Sequence, residues 1–254
     1  MFDHGKRDVS RYPIATGTYY KMDYSAGVDI SRYKNIPVPT SYMAIRSRYN
    51  FVGGYENDTR AGVLHVADHH VSPGKKQWTW GNGDFGQAWD RNLTDADGPY
   101  IELMTGVYTD HQPDFTWLKP MEEKRFTQYF MPYKGVGRVG NATRDAAVSF
   151  ENLPDGTAAV NVYASGDYDG ATIRVLRDGA CLYEKRTDLS PKACFRDTFP
   201  AGGDLHGCEA IVEAKGKTLV RYRFYEPELQ PVPSPAEPLK APEELRSTEE
   251  LYLA

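Results

Sequence analysis

Between Ala146 and Glu226 the sequence falls into short alternating runs, AAVSFEN, TAAVNVYAS, ATIRVLRDG, CLYEKRT, CEAIVEAKG and TLVRYRFYE. No other feature constrains the fold as much. Side chains on an extended chain alternate between two faces, so a run with every second residue apolar buries one face and wets the other. Turn chemistry separates the runs: Pro154-Asp155-Gly156, Asp178-Gly179 and Lys215-Gly216 tolerate the backbone angles of tight reversals. Six or seven such strands at regular spacing predict a small immunoglobulin-like β-sandwich over 141–226.

The remainder of the chain is compatible with the same all-β class. Its 254 residues suffice for one large or two smaller β domains, and 18 tyrosines and 23 glycines suit strands joined by tight turns. The formal charge of -5 is spread over interspersed acids and bases, with no positive stripe to neutralise a phosphate backbone, so nucleic acid is not an expected partner. No run approaches the roughly 20 apolar residues of a membrane helix, so no membrane partner is expected. The start, MFDHGKRDVSRYP, lacks the apolar core of a signal peptide, which predicts a cytoplasmic location. Cys181, Cys194 and Cys208 show no CxxC spacing and are read as reduced, structural thiols.

Upstream of the sandwich the first forty residues are tyrosine-rich and irregular, without a complete amphipathic period. Strands are predicted at Ser41–Ile45 and Gly62–Ala67, with Gly53-Gly54 and Asn57-Asp58 as turns. In KRFTQYFMP, Phe126, Gln128 and Phe130 alternate with Arg125, Thr127 and Tyr129 as a strand would, and KGVGRVGN then marks a domain exit. The domains are therefore 1–140, 141–226 and a proline-rich linker at 227–254. There, Ser247-Thr248-Glu249-Glu250 reads as a helix start ahead of a further, helical region.

Chemistry concentrates between His69 and Pro120, which holds all four tryptophans. Extended, GPYIELMTGVY sets Ile101 and Leu103 on one face and Tyr100, Glu102 and Met104 on the other. Bulky neighbours around Glu102 favour partial desolvation, the condition that moves a carboxylate toward general acid or base chemistry. Asp110, His111, Gln112 and Asp114 follow in a loop, with Phe115 and Trp117 just after. Sugars present in-plane hydroxyls and flat C–H faces, so carboxylates and amides beside Trp78, Trp80 and Trp89 point to a sugar cleft, while the same rings also serve as core.

In VLHVADHH an uninterrupted strand would turn His69 and His70 to opposite faces, with Asp68 able to orient an adjacent histidine as a proton donor. Two adjacent histidines without a third ligand at zinc-like spacing do not predict a metal. GNGDFG spells GxGxxG, but no βαβ unit brackets it and Asp84 would repel phosphate, so no dinucleotide cofactor is expected. It reads instead as a glycine-rich loop exposing Asn82, Asp84 and Trp89.

The stretch DHHVSPGKKQWTWGNGDFGQAWDRNLTDADGPYIELMTGVYTDHQPDFTWLKPMEEKRFTQYFMP resembles the galactose mutarotase-like (aldose 1-epimerase-like) superfamily. Within it, the stretch is most similar to an uncharacterised bacterial family usually followed by tetratricopeptide repeats. The resemblance covers about residues 35 to 140 and implies the later part of a mutarotase-like antiparallel supersandwich. It carries over Glu102, Pro113-Asp114 and Leu118-Lys119-Pro120-Met121-Glu122, and departs at Met104, where glutamine is usual, and at Met121, where glycine is usual. It implies Glu102 as the base at a sugar's anomeric centre and His69 or His70 as the acid. Asp68, Lys76, Trp78, Trp80, Asp84, Trp89, Asp90, Arg91, Tyr100, Asp110, Gln112, Asp114 and Trp117 would then line a cleft for a mono- or oligosaccharide.

The fold's early strands are missing, which implies a shortened gene product whose exposed edges favour self-association into a homo-oligomer. Fold alone does not choose a reaction. A non-catalytic glycan-binding module is one alternative; an inactive remnant with Glu102 paired to a neighbour such as Arg91 is another. A glycoside hydrolase would need a second carboxylate ~5–9.5 Å from Glu102, for which Asp84, Asp90 and Asp110 are the candidates.

Overall fold

A computed structural model describes residues 12–19, 21–44, 47–109, 116–224 and 242–248. Two short antiparallel ladders come first, β1 (Ile14–Ala15) with β4 (Val28–Asp29) and β2 (Thr18–Tyr19) with β3 (Met22–Asp23). After them come β5 (Thr40–Met43), β6 (Phe51–Glu56), β7 (Ala61–Val66), β8 (Gly74–Thr79), helix α1 (Asp84–Leu93), β9 (Ile101–Gly106) and β10 (Tyr129–Lys134). The rest of the fold is β11 (Asn141–Ala142), β12 (Ala146–Asn152), β13 (Thr157–Ala164), β14 (Tyr168–Arg177), β15 (Ala180–Leu189), β16 (Phe195–Pro200), β17 (Cys208–Ala214) and β18 (Lys217–Arg223). The chain is all-β, as its patterning predicts, with several antiparallel sheets. Among the described residues no helix is long and apolar enough to cross a membrane.

Two compact units emerge, one within Met1–Arg46, Gly74–Lys119 and Glu228–Ala254, the other within Ser47–Pro73 and Pro120–Pro227. In the second unit the sheets β11-β12-β13-β16 and β15-β14-β17-β18 enclose a core of Val148, Val160, Val162, Ile173, Val175, Phe199 and Val212, each at most 2% exposed. Both faces of β12 and β13 are buried. Val148 and Val160 point into that core, while Ala147 and Tyr163 pack with Leu64, Val66, Met131 and Tyr133 of the meander β6-β7-β10. Each fully buried aliphatic side chain contributes about 1.5–3 kcal/mol, so this double coverage accounts for much of the unit's stability.

The expected turn at Gly53-Gly54 falls inside β6, and Asn57-Asp58 turns the chain into β7. A Cβ at Gly53 would meet the Leu64 side chain at 2.6 Å, so glycine is needed there for packing, not for reversal. The strand expected from Arg125 begins only at Tyr129.

The first unit is built on the antiparallel sheet β5-β8-β9. One face, bearing the buried Thr40, Tyr42, Gln77 and Thr79, receives the N-terminal arm: Tyr42 shares a core with Ala15, Tyr24, Ile30 and Ile36, and Gln77 Nε2 donates to the Ile30 carbonyl at 3.4 Å. The irregular stretch from residue 12 to residue 36 is thus a cover for β5 and β8. Its ladders are only two residues long, too short to show a period in sequence.

Candidate functional site

The opposite face of β5-β8-β9 is open. Strand pairing aligns Ser41 with Trp78 and Trp78 with Glu102, and in the next row Met43 with Lys76 and Lys76 with Met104. Because alternate residues share a face, Ser41, Met43, Lys76, Trp78, Trp80, Glu102 and Met104 line one cleft of about 370 Å³. The expected separation of Glu102 and Met104 from Ile101 and Leu103 holds in this register. The Glu102 carboxylate, two residues on, raises the Tyr100 phenol above its usual pKa, through hydrogen bonding first and then through its charge.

One end of the cleft is aromatic. Trp80 lies edge-on to Trp78, with centroids 4.4 Å apart, and stacks on Trp89 at 4.5 Å with an interplanar angle of 8°. Phe85 closes the group edge-on to Trp80 at 5.8 Å. None of the three tryptophans is fully buried, so they pack on one another and still present ring surface to solvent.

Trp89 and Phe85 reach Trp80 because Asp84–Leu93 is an α-helix, which corrects the expectation of a glycine-rich loop. The three glycines serve separate purposes. Gly81 takes a left-handed φ of +82°, Gly83 is the N-cap, and a Cβ at Gly86 would lie 1.7 Å from the Gly81 carbonyl oxygen. The helix joins β8 to its antiparallel neighbour β9, so no parallel βαβ unit forms and the exclusion of a dinucleotide fold stands on topology.

Asp90 anchors this helix. Its carboxylate accepts the Tyr33 hydroxyl at 3.1 Å and the Tyr100 backbone N–H at 3.0 Å, and Tyr33 also donates to the Gly81 carbonyl at 2.9 Å. Burial, and then the Asp90 hydrogen bond and charge, push the Tyr33 phenol up to about 12.

A second cluster belongs to the other unit. β7 ends at Val66, and Val71 and Ser72 donate their backbone N–H groups to the Asp68 carbonyl, turning the chain at once. His69 and His70 therefore do not point to opposite faces: their rings lie against each other, centroids 3.9 Å apart and tilted by 37°. His69 holds Asn50 Oδ1 through its backbone N–H at 2.9 Å and through Nδ1 at 2.7 Å. His70 holds Asp68 Oδ1 in the same two ways, at 2.9 and 3.0 Å, and those bonds keep the Asp68 carboxyl below the usual carboxylate range. One donor atom from each of Asp68, His69 and His70 lies within 4.8 Å of the others. They border a hollow of about 410 Å³ that Thr127, Tyr129 and Arg144 also line.

Of the residues singled out in sequence, Lys76, Trp78, Trp80 and Glu102 meet in one cleft, with Trp89 and Asp90 attached through α1 and Tyr100 held to Asp90 by its backbone N–H. Asp84 and Arg91 are exposed at opposite ends of that helix, and Trp117 is 72% exposed. Asp110, Gln112 and Asp114 lie outside the described residues. Glu102 and the pair His69 and His70 fall in different units. Sequence reasoning missed Ser41, Met43 and Tyr33, although the alternation in TSYM carried the signal for the first two.

No solved structure matches the chain. Residues 141–222, the sandwich strands, match a family described as the second domain of YphG-like proteins. Residues 3–134, just over half of the sequence, match a family described as a domain of unknown function (DUF5107), and the chain belongs to that family.

Proposed function

We propose that the open face of β5-β8-β9 binds a mono- or oligosaccharide, in keeping with a mutarotase-like ancestry for this part of the chain. One observation carries the reading: a single sheet face sets the rings of Trp78 and Trp80 beside Glu102, Lys76 and Ser41 around one cleft. A sugar needs both halves. Its C–H face lies on an indole, and its hydroxyls require donors and acceptors held at fixed positions. Here the serine hydroxyl, the lysine ammonium and the glutamate carboxylate come to one cleft from three different strands.

The test is a glycan array followed by calorimetric titration of the best ligand. Covering the indole of Trp78 is worth on the order of 1.4 kcal/mol, so Trp78→Ala should weaken binding about tenfold. Glu102→Gln decides between a binding module and an enzyme. Mutarotation or glycoside hydrolysis by the parent chain that this substitution abolishes makes the face an active site with Glu102 as base. Binding that survives in Glu102→Gln, with no turnover by the parent, makes it a recognition surface. Failure of every sugar to bind the parent chain removes the proposal.

A further inference from the structure

We propose that the cleft on β5-β8-β9 selects a sugar acid, a uronate whose ring lies on the indole of Trp78 and whose carboxylate pairs with Lys76. The inference rests on the sugar-binding reading of that cleft and adds what the ligand must carry.

The cleft is ordered in rows across its three strands. Ser41, Trp78 and Glu102 form one row and Met43, Lys76 and Met104 the next, so the lysine stands on the central strand with a methionine on either side. A thioether is at most a weak acceptor and does not offset a positive charge. Lys76 is half-buried there, and among the described residues no acidic group lies within 4.0 Å of its ammonium. Lysines on the sandwich strands are treated differently: Lys185 pairs with Asp197, and Lys217 with Asp145. A cation in a partly enclosed cleft without a counter-charge is met by one from the ligand, and the pair is stronger there than in open water.

Glu102 is not that counter-charge. It sits one strand over and one row along from Lys76, a diagonal relation that holds Cβ atoms roughly 7–8 Å apart, and no ion pair joins the two. Its carboxylate acts instead on the Tyr100 phenol, through hydrogen bonding first and then through charge. The cleft therefore has two poles beside Trp78, an acceptor for sugar hydroxyls at Glu102 and a cation at Lys76. Lys76 and Trp78 are two residues apart on one strand, about 6.6 Å, a gap that an exocyclic carboxylate and the flexible lysine stem close from either side. No arginine lines the cleft. One ammonium matches the single charge of a uronate, whereas a phosphate of charge about -2 calls for a fork or a nest of donors.

The experiment is calorimetric titration of the full chain at pH 7.5 with galacturonate and glucuronate oligomers, with their neutral galactose and glucose counterparts, and with glucose 6-phosphate. In at least one pair the acid should bind roughly tenfold or more tighter than its neutral counterpart, and the preference should shrink at high salt. Lys76→Met and Lys76→Gln should lower the affinity for the acid at least roughly tenfold more than that for the neutral sugar, while Lys76→Arg keeps the preference. Trp78→Ala should weaken both members of the pair alike, since it removes the surface they share. Circular dichroism verifies that each variant is folded. Neutral sugars bound as tightly as acids, or equal losses for both in the folded Lys76→Met and Lys76→Gln, overturn the preference for an acid and leave the sugar-binding reading standing. Glucose 6-phosphate bound more tightly than every uronate overturns the choice of carboxylate. Failure of all the sugars to bind removes both readings together.

Discussion

The sandwich strands and the sheet β5-β8-β9 start from the same two-residue alternation and put it to opposite uses. In β12 and β13 both sets of alternate residues are buried, Val148, Val160 and Val162 on one side, Ala147 and Tyr163 on the other. In β5 and β8 the set Thr40, Tyr42, Gln77 and Thr79 is buried, while on the other side Trp78, Trp80 and Lys76, with Glu102 of β9, are left partly exposed around a cleft. A strand covered on both sides can carry no ligand; a strand covered on one side has a face free for recognition. The difference teaches where selection for packing ends and where a binding surface can begin.

The strongest way to break this contrast is to open the closed core. Phe199 is 2% exposed and packs against Phe150, with ring centroids 5.7 Å apart. Phe199→Ala should cost about 3–5 kcal/mol, the transfer energy of the ring plus the cavity it leaves. Chemical denaturation followed by circular dichroism measures this. A cost below about 1 kcal/mol would mean that the sandwich core tolerates a void as an open face does.

A second substitution tests the other region. Alanine is favoured over glycine within a helix by about 1 kcal/mol, so propensity alone predicts that Gly86→Ala stabilises α1. Contact predicts the reverse, since the added methyl would sit 1.7 Å from the Gly81 carbonyl oxygen and no flexible side chain can yield. The expected outcome is a loss of about 2 kcal/mol or more, with a shift of tryptophan emission, because α1 carries Trp89 onto Trp80. All four tryptophans lie between residues 78 and 117, so the emission reports on this unit alone. A stabilised Gly86→Ala would show that the close approach of α1 to the Gly81 turn is not needed to assemble the aromatic end of the cleft.

Gly86 also shows why legibility in the sequence was uneven. The sandwich could be read because each of its strands is long enough, at six to ten residues in β12 to β18, to display its period, with clear turn residues between. The open face could be read in part, since the placement of Glu102 and Met104 against Ile101 and Leu103 follows from local alternation. Helix α1 was hidden because DFGQAWDRNL contains a glycine and several weak helix formers, and its glycine is dictated by a backbone contact that only the fold reveals. The contact between the two histidine rings was hidden for a related reason. Past the end of β7 the backbone N–H groups of His69 and His70 bond to the Asn50 and Asp68 side chains, and only a strand continued through His70 would have set the rings on opposite faces.

The smallest expected effect concerns the attachment of α1 to the site, and it sharpens the contrast through pH. Tyr33 ties the Gly81 turn to Asp90, and its phenol is raised from the ordinary value near 10 to about 12. A raised phenol holds its proton more tightly in the folded protein than in the unfolded chain, so its contribution to stability is complete below about pH 10. It declines as the pH rises from there and is gone once the folded phenol ionises near 12. Tyr33→Phe removes the hydroxyl and should cost about 1 kcal/mol at pH 7, the worth of a partly buried hydrogen bond. Between pH 10 and 11.5 the gap between parent and variant should shrink, while the other tyrosines titrate equally in both and cancel. No gap between parent and variant, at pH 7 or above, would mean that the residue contributes by packing of its ring alone, and that the aromatic end of the cleft is held, like the sandwich, by shape and not by a polar anchor.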